Sequence, residues 1–357
     1  CLNELKATAD SLENKWLRLE IDSSTGHFSH LFDKKNGVNV FRGSACVPIV
    51  LEDSSDTWGH EVTSFRSEVG VFNDAEVNLV ESGPVRATLC VENHYENSLM
   101  RIFVSLYHNL PYIECRASVN WQEQNKMLKL SFPVNIEEPT ATYSMPYGYI
   151  IRPCDGEEEP GQRWIDVSGQ AINTNGKKVL YGLSLCNDSK YSYDVKDSEL
   201  RVTILRSPPY AHHIPYRLDP KLTYRYIDQG WQDFTFVLLP HAGSWRKAKT
   251  VKLAEEVKTR PVILLDYPHD GILPPSKSFI EIDKKNIVAS VLKKHEDSEG
   301  IIIRCFETDG KKTKANIELP FLHRKWKASF KSCEIKTFLI PIKEDTKVTE
   351  IDMLELT

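Results

Sequence analysis

The chain has 357 residues, which exceeds the usual size of one hydrophobic core and predicts two domains. Hydrophobic residues make up 41% and charged residues 27%, the balance of an ordinary globular protein. The net charge of −5 argues against nucleic acid or an anionic membrane as a partner, and no apolar run approaches the roughly 20 residues of a transmembrane helix.

The eight cysteines form no Cys-x-x-Cys pair. Those within apolar, strand-like runs are Cys90, Cys115, Cys186 and Cys305. Buried thiols in a reducing cytosol explain this pattern better than disulfides do, so we expect a cytoplasmic protein.

The first residues of the chain differ in pattern from the rest. Residues 1–12 have apolar side chains at helix-like spacing: Leu2, Leu5, Ala9 and Leu12. We interpret this short piece as a connector from an upstream part.

Apolar and polar residues then alternate over residues 17–21, and Asn36-Gly37 predicts a hairpin turn between two such runs.

Strand patterns dominate the chain up to residue 260. The alternation returns over residues 85–91, 128–136 and 200–204. Pro133 lies inside the second of these runs and predicts an edge strand or a bulge there, because proline cannot donate a ladder hydrogen bond. We expect residues 13–260 to form a large, mostly antiparallel β-sandwich.

A helix is predicted over residues 246–258, with Gly243-Ser244 as its cap and Pro261 beyond its end. Its apolar residues are spread widely around the helix, which indicates a helix between two packed surfaces. Prolines and glycines predict a linker over residues 261–275. The strand patterns of residues 276–357 predict a small C-terminal β-sandwich domain.

No nucleophile elbow, phosphate-binding loop, dinucleotide fingerprint or His-Glu-x-x-His is present. Asp53-Ser54-Ser55-Asp56-Thr57-Trp58 instead combines carboxylates with an indole, as sugar sites do, because hydroxyls need acceptors and the sugar ring needs an aromatic platform. The alternative is a turn with aspartate caps and a half-buried tryptophan. Arg206 and Asp228-Gln229-Gly230-Trp231 have a similar polar and aromatic character.

Two further polar groups stand out. His212-His213 would be a poor metal clamp on a strand, because neighbouring side chains point to opposite faces. In a loop they could converge with Asp228 or His241, and hydrogen-bonding loop histidines are the simpler interpretation. The acidic run at residues 157–159 predicts a solvated loop, or one in which a carboxylate such as Glu159 binds a sugar hydroxyl.

Several segments with a characteristic order and spacing cover most of the chain. They are residues 12–17, 26–28, 31–33, 119–123, 128–133, 158–164, 181–182, 187–191, 205–208, 228–230, 239–241 and 302–307. Among them are Leu-Arg-Ser-Pro at 205–208 and Leu-Pro-His at 239–241. Through these segments the chain resembles the C-terminal β-domains of glycoside hydrolase family 38 α-mannosidases of the bacterial, cytosolic type.

The resemblance implies part of a retaining exo-α-mannosidase, built from an N-terminal (β/α) barrel, a helical bundle and a large C-terminal sandwich of the supersandwich, galactose-mutarotase-like type. In such enzymes the barrel carries an aspartate nucleophile, an aspartate acid/base and a divalent metal, usually zinc. This chain has no counterpart of those motifs. We therefore expect no catalytic residue, no metal ligand and no bound cofactor in it, and no glycosidase activity from it alone.

The resemblance also implies that side chains of the sandwich form part of the pocket wall. Arg206 matches the arginine that does so, Asp53 and Trp58 come from a second contributing segment, and Asp228 and Glu159 are added for their polar surroundings. The expected partners are the protein's own barrel and helical parts and mannose-containing glycans, with the oligomeric state left open. The alternatives are a stand-alone carbohydrate-binding module and a sandwich of another sugar-active enzyme.

Overall fold

The computed structural model describes residues 5–297, 299–343 and 346–355. These residues form two compact units. The first unit comprises the residues up to Ser144 together with Ile150–Arg260, and the second comprises Met145–Tyr149 together with the residues from Pro261 onward. Within the described ranges, no helix is long and apolar enough to cross a membrane.

The first unit begins with a small antiparallel meander in the order β1-β2-β3-β4-β5. Its strands are β1 (Lys6–Ala7), β2 (Ser11–Glu13), β3 (Leu17–Ile21), β4 (Phe28–Asp33) and β5 (Val38–Asn39). The predicted hairpin is confirmed between β4 and β5. Its turn is closed by the Gly37 N–H, which donates to the Asp33 carbonyl at 2.8 Å, and Gly37 adopts the positive φ of 64° that favours glycine.

Two larger antiparallel sheets complete the first unit, in the orders β14-β13-β16-β17-β20-β11-β10-β9-β8 and β15-β18-β19-β12-β6-β7. Their strands are β6 (Val47–Glu52), β7 (Glu68–Val71), β8 (Asn73–Ser82), β9 (Arg86–Tyr95), β10 (Ser98–Tyr107), β11 (Ile113–Trp121), β12 (Lys126–Pro133), β13 (Glu137–Met145), β14 (Gly148–Arg152), β15 (Glu159–Pro160), β16 (Trp164–Ile172), β17 (Lys178–Asn187), β18 (Ser192–Lys196), β19 (Glu199–Arg206) and β20 (Gly230–Ala242). The predicted class, mostly antiparallel β, is confirmed.

The alternation read from the sequence becomes the core of this unit. Along β11 the buried positions are every second residue from Ile113 to Trp121, because successive side chains of a strand point to opposite faces. Apolar residues of all three sheets join one continuous buried cluster. The sheets therefore pack face to face, and the apolar face of each sheet is buried between them.

The helical segment follows β20 as α1 (Trp245–Ala248) and α2 (Thr250–Lys258), divided at Lys249, whose φ is 63°. Ser244 is the first N-cap but makes no side-chain capping bond. The buried residues of α2 are Thr250, Leu253, Ala254 and Val257, which lie on one face, and α2 packs on β17. The prediction of a helix between two packed surfaces is therefore wrong, because its other face is solvated.

Two local interpretations are corrected by strand pairing. Residues 6–7 and 11–13 are strands rather than a helical connector, because pairing with β3 outweighs the local apolar spacing, while residues 1–4 of that prediction lie outside the described residues. Pro133 is on neither an edge strand nor a bulge. It is the last residue of β12, beyond the final β6 pair at Ser131, and the irregularity of β12 lies between Leu128 and Lys129.

The second unit has short strands in two sheets, ordered β21-β24-β25 and β22-β23-β26-β27, around a core that contains Ile303, Ile317 and Phe330. The strands are β21 (Glu281–Ile282), β22 (Ile287–Lys294), β23 (Ile301–Glu307), β24 (Thr313–Leu319), β25 (Arg324–Phe330), β26 (Ile335–Ile340) and β27 (Thr349–Ile351), with a 3₁₀ turn at Pro320–Leu322. Residues 261–280 contain no helix or strand.

Every described cysteine has a free thiol. Cys115, Cys186 and Cys305 are buried as predicted, whereas Cys90 is only half-buried. Burial raises the pKa of the Cys305 thiol to about 12, so this thiol stays protonated and unreactive.

A buried histidine makes the stability of the first unit dependent on pH. His27 Nε2 lies 3.0 Å from the Phe72 carbonyl, and burial lowers the pKa of His27 below the ordinary 6.5. The unfolded chain then binds the proton more readily, so the free energy of unfolding falls as the pH drops below 6.5, by at most about 1.4 kcal/mol per pH unit. Urea unfolding between pH 7 and 5 should show a flatter profile for His27→Gln than for the unmodified chain. The exposed His94→Gln is the control, and equal slopes for both variants would contradict the assignment.

Candidate functional site

Two loops meet at one edge of the second large sheet. Strand β12 pairs antiparallel with β6 on one side and with β19 on the other. Strands β6 and β19 therefore run in the same direction, and both end at the same edge. We call residues 53–60, which follow β6, the first loop, and residues 207–216, which follow β19, the second loop.

Arg206, the last residue of β19, reaches across β12 to the start of the first loop. Its Nε donates to Asp53 Oδ2 at 2.8 Å and its Nη2 donates to Asp53 Oδ1 at 3.0 Å, which is a bidentate pair. Nη2 also donates to Ser55 Oγ at 2.6 Å, and the guanidinium lies 5.0 Å from the ring centre of Phe65. The Asp53 side chain is buried and the Arg206 side chain is only 20% exposed, so this charge pair fixes the start of the first loop to the end of β19.

Further hydrogen bonds join the two loops. Thr57 Oγ1 donates to the Pro209 carbonyl at 2.7 Å and accepts the His212 N–H at 3.0 Å. The Ile214 N–H donates to Asp56 Oδ2 at 3.2 Å. The loops are thus fixed to each other as well as to the sheet.

The outer surface of the joined loops is aromatic and polar. Trp58 is 59% exposed, and its ring centre lies 5.7 Å from that of His213 and 6.1 Å from that of His60. The two imidazole centres are 4.6 Å apart. An exposed indole beside two hydrogen-bonding rings can stack on an apolar ligand face and bond to its hydroxyls.

Asp56, His60 and His213 place potential metal-ligand atoms within 4.8 Å of one another. Both oxygens of the buried Asp56 are already occupied, however. Oδ1 accepts the N–H groups of Trp58 and His60, and Oδ2 accepts His60 Nδ1 at 2.7 Å and the Ile214 N–H. Although burial alone would raise it, these bonds hold the pKa of Asp56 below its usual range. Asp56 is therefore better suited to orient His60 than to bind a metal.

The structure places the other predicted site residues differently. The Asp228 carboxylate accepts the backbone N–H of Arg206 at 3.2 Å and thus touches the cluster, but not through the guanidinium. Glu159 lies on the edge strand β15 and forms its ion pair with Arg152. The ion-pair partner of Arg206 is thus Asp53, and neither Asp228 nor Glu159 accepts a bond from its guanidinium.

The acidic run is not simply a solvated loop. Glu158 pairs with Lys129, which is fully buried, and accepts a hydrogen bond from Ser192 Oγ at 2.7 Å. Only Glu157 of the three carboxylates is exposed. Glu158 therefore has a structural role and does not bind a ligand.

The simpler histidine interpretation is confirmed for His212, whose Nε2 lies 2.9 Å from the Tyr216 carbonyl, but the predicted convergence with Asp228 or His241 is wrong. His213 meets His60, which the sequence analysis did not single out, and not Asp228 or His241. The available signal was Trp-Gly-His at residues 58–60, which continues the segment selected for its carboxylates and indole.

A buried Ser184–His241–Asp166 group beneath α2 has the residue types of a hydrolase triad but not its geometry. His241 Nε2 lies 2.7 Å from Asp166 Oδ2 and 3.2 Å from Ser184 Oγ, so one ring nitrogen faces both partners. A catalytic relay needs the acid and the nucleophile on opposite ring nitrogens. This buried network is structural.

Comparison with known proteins identifies similar chains. The profile of the glycosyl hydrolases family 38 C-terminal domain matches residues 12–213, and that of the family 38 C-terminal beta sandwich domain matches residues 286–338. Alpha-mannosidase G of Dictyostelium discoideum is 25% identical over 332 residues, which is 85% of this chain and 28% of that protein. Alpha-mannosidase 2C1 of Homo sapiens is 28% identical over 225 residues, 60% of this chain and 19% of the relative.

A solved structure shares the fold. The crystal structure of an alpha-mannosidase from Enterococcus faecalis V583 superposes with a TM-score of 0.75 at 15% identity, covering 94% of this chain and 43% of that one. The chain thus spans less than half of the solved structure and only 19–28% of the length of the curated relatives named above.

Proposed function

The chain belongs to the glycosyl hydrolase family 38 C-terminal domain family, and from this premise we propose that it is the non-barrel part of a retaining exo-α-mannosidase that removes terminal α-linked mannose. The chain supplies scaffold and part of the pocket wall. A barrel outside residues 1–357 supplies the two carboxyl groups, which a retaining enzyme holds about 5–5.5 Å apart. A divalent metal, zinc by resemblance, belongs to that barrel.

One observation carries the pocket-wall role. Two loops that are about 150 residues apart in sequence converge at one sheet edge, where the buried Asp53–Arg206 pair supports the exposed Trp58. Buried charge pairs are costly to build, and a surface turn does not require one. His60 and His213 extend this wall, since His60 Nδ1 donates to Asp56 Oδ2 and its Nε2 is left for a sugar hydroxyl.

We also propose a cytoplasmic location. Free thiols at every described cysteine support a cytoplasmic enzyme. The substrates are mannose-containing glycans, and the protein's own N-terminal barrel and helical parts are its partners.

The decisive experiment compares the chain with the whole protein. We expect the purified chain to release no nitrophenol from a nitrophenyl α-mannoside, while the whole protein with its N-terminal part does so and loses activity with a chelator. Turnover by the chain alone would refute the division of roles. If the chain alone binds mannose-containing glycans and the whole protein is inactive, the two results together would instead favour a stand-alone carbohydrate-binding module.

A further inference from the structure

The segment that follows α2 exposes an unusual amount of apolar surface. We call residues 262–273 the apolar run. Its large apolar side chains are between 80% and 101% exposed: Val262, Ile263, Leu264, Leu265, Tyr267, Ile272 and Leu273. Scattered exposed apolar residues are normal, but seven large ones within twelve residues of sequence are typical of a surface that another body covers.

The composition of the run is not that of a flexible linker. Flexible linkers are rich in glycine, serine and charge, whereas residues 262–265 are four consecutive branched apolar residues. In an extended chain, consecutive side chains point to opposite faces, so both faces of this stretch are apolar. Such a pattern is typical of a strand buried on both sides, and a flat surface would cover only one of them.

The charge of this segment limits the class of partner that could cover it. Residues 261–276 contain Asp266 and Asp270 but no lysine or arginine. Recognition of an anionic membrane or a nucleic acid depends on clustered basic residues, which these sixteen residues lack, and this favours a protein with an apolar groove as the partner.

We propose that the apolar run docks into an apolar groove on the N-terminal part of the same protein, with residues 262–265 as an extended strand. The proposal rests on the proposed function, since the groove belongs to the N-terminal part of the enzyme that the proposed function assumes. The curated relatives named above extend far beyond the matched region, which covers 28% and 19% of their lengths. A covalently tethered groove is present at high effective concentration, so it captures the run before a second copy can.

Limited proteolysis with thermolysin, which cleaves beside large apolar residues, tests the proposal without any substitution. In the chain alone, cleavage within residues 262–273 should precede all other cuts. In the whole protein the same bonds should be cleaved at least about tenfold more slowly. Equal rates in both would overturn the proposal, and so would protection that disappears on dilution, which would identify a second copy as the occupant.

A charge substitution gives a second measurement. Leu265→Asp should lower the Tm of the whole protein by about 4 °C or more and shift that of the chain by no more than about 1 °C. Val85→Asp, at an exposed apolar residue outside the run, is the matched control and should leave both unchanged. An unchanged Tm for Leu265→Asp in the whole protein would contradict docking. Mannosidase activity, assayed on the same samples, separates the two hypotheses: an active whole protein with a freely cleaved run refutes docking only, and a protected but inactive one refutes the function only.

Discussion

Arg206→Ala is expected to lower kcat/KM of the whole enzyme for a chromogenic α-mannoside by about tenfold to a hundredfold, equivalent to about 1.4–2.8 kcal/mol. The guanidinium donates two hydrogen bonds to Asp53 and a third to Ser55. Its loss therefore releases the start of the first loop, which carries Trp58. Misplacement of a pocket wall by about an ångström is sufficient for an effect of this size.

The measurement must separate catalysis from folding, because Arg206→Ala also leaves the buried Asp53 without its partner. Activity should therefore be expressed per folded enzyme. Arg206→Lys should recover activity only in part, since an ammonium lacks the planar fork that binds both oxygens. Arg86→Ala, which removes a more exposed arginine–glutamate pair between β9 and β8, is the control and should leave kcat/KM unchanged. If the folded fraction of Arg206→Ala retains full kcat/KM, the arginine only supports Asp53 and the pocket-wall role is refuted.

Lys129→Ala is expected to destabilise the chain by about 3–5 kcal/mol in urea unfolding, the usual cost of removing one partner from a buried ion pair. Lys129 on β12 is fully buried, and its Nζ lies 2.5 Å from Asp194 Oδ2 and also contacts Glu158. Asp194 in turn pairs with Arg66. Without the ammonium, two carboxylates share a buried space.

The pH dependence distinguishes this electrostatic loss from a simple cavity. Burial alone would raise the pKa of Glu158, but Lys129 holds it below its ordinary value. In the variant this pKa rises above that of the unfolded chain, so the folded state gains a proton as the pH falls. The stability deficit should then shrink from pH 7 towards pH 5. A deficit that is independent of pH would indicate lost packing only. Lys178→Ala, at an exposed pair with Glu137, is the control and should change stability by less than about 1 kcal/mol.

Local sequence determined much of the fold, because strand alternation and turn chemistry depend on residues close together in the chain. Strands β3, β9 and β19, the hairpin at Gly37 and the helical segment after Ser244 were all readable in this way. The family resemblance led to Arg206, Asp53 and Trp58, which the structure does bring together. Their role at a sugar pocket remains a prediction.

Tertiary structure decided which residues meet, because strand order and register depend on pairings between distant parts of the chain. Asp53 and Arg206 are neighbours only because β12 lies between β6 and β19 and runs opposite to both. The same arrangement buries Lys129 beside Glu158, a carboxylate that by local composition belonged to a solvated loop. His60 and His213 meet for a similar reason, since the two loops leave the same sheet edge and are joined by Thr57. Local patterns report which face of a strand is apolar, but they do not contain the order of strands in a sheet.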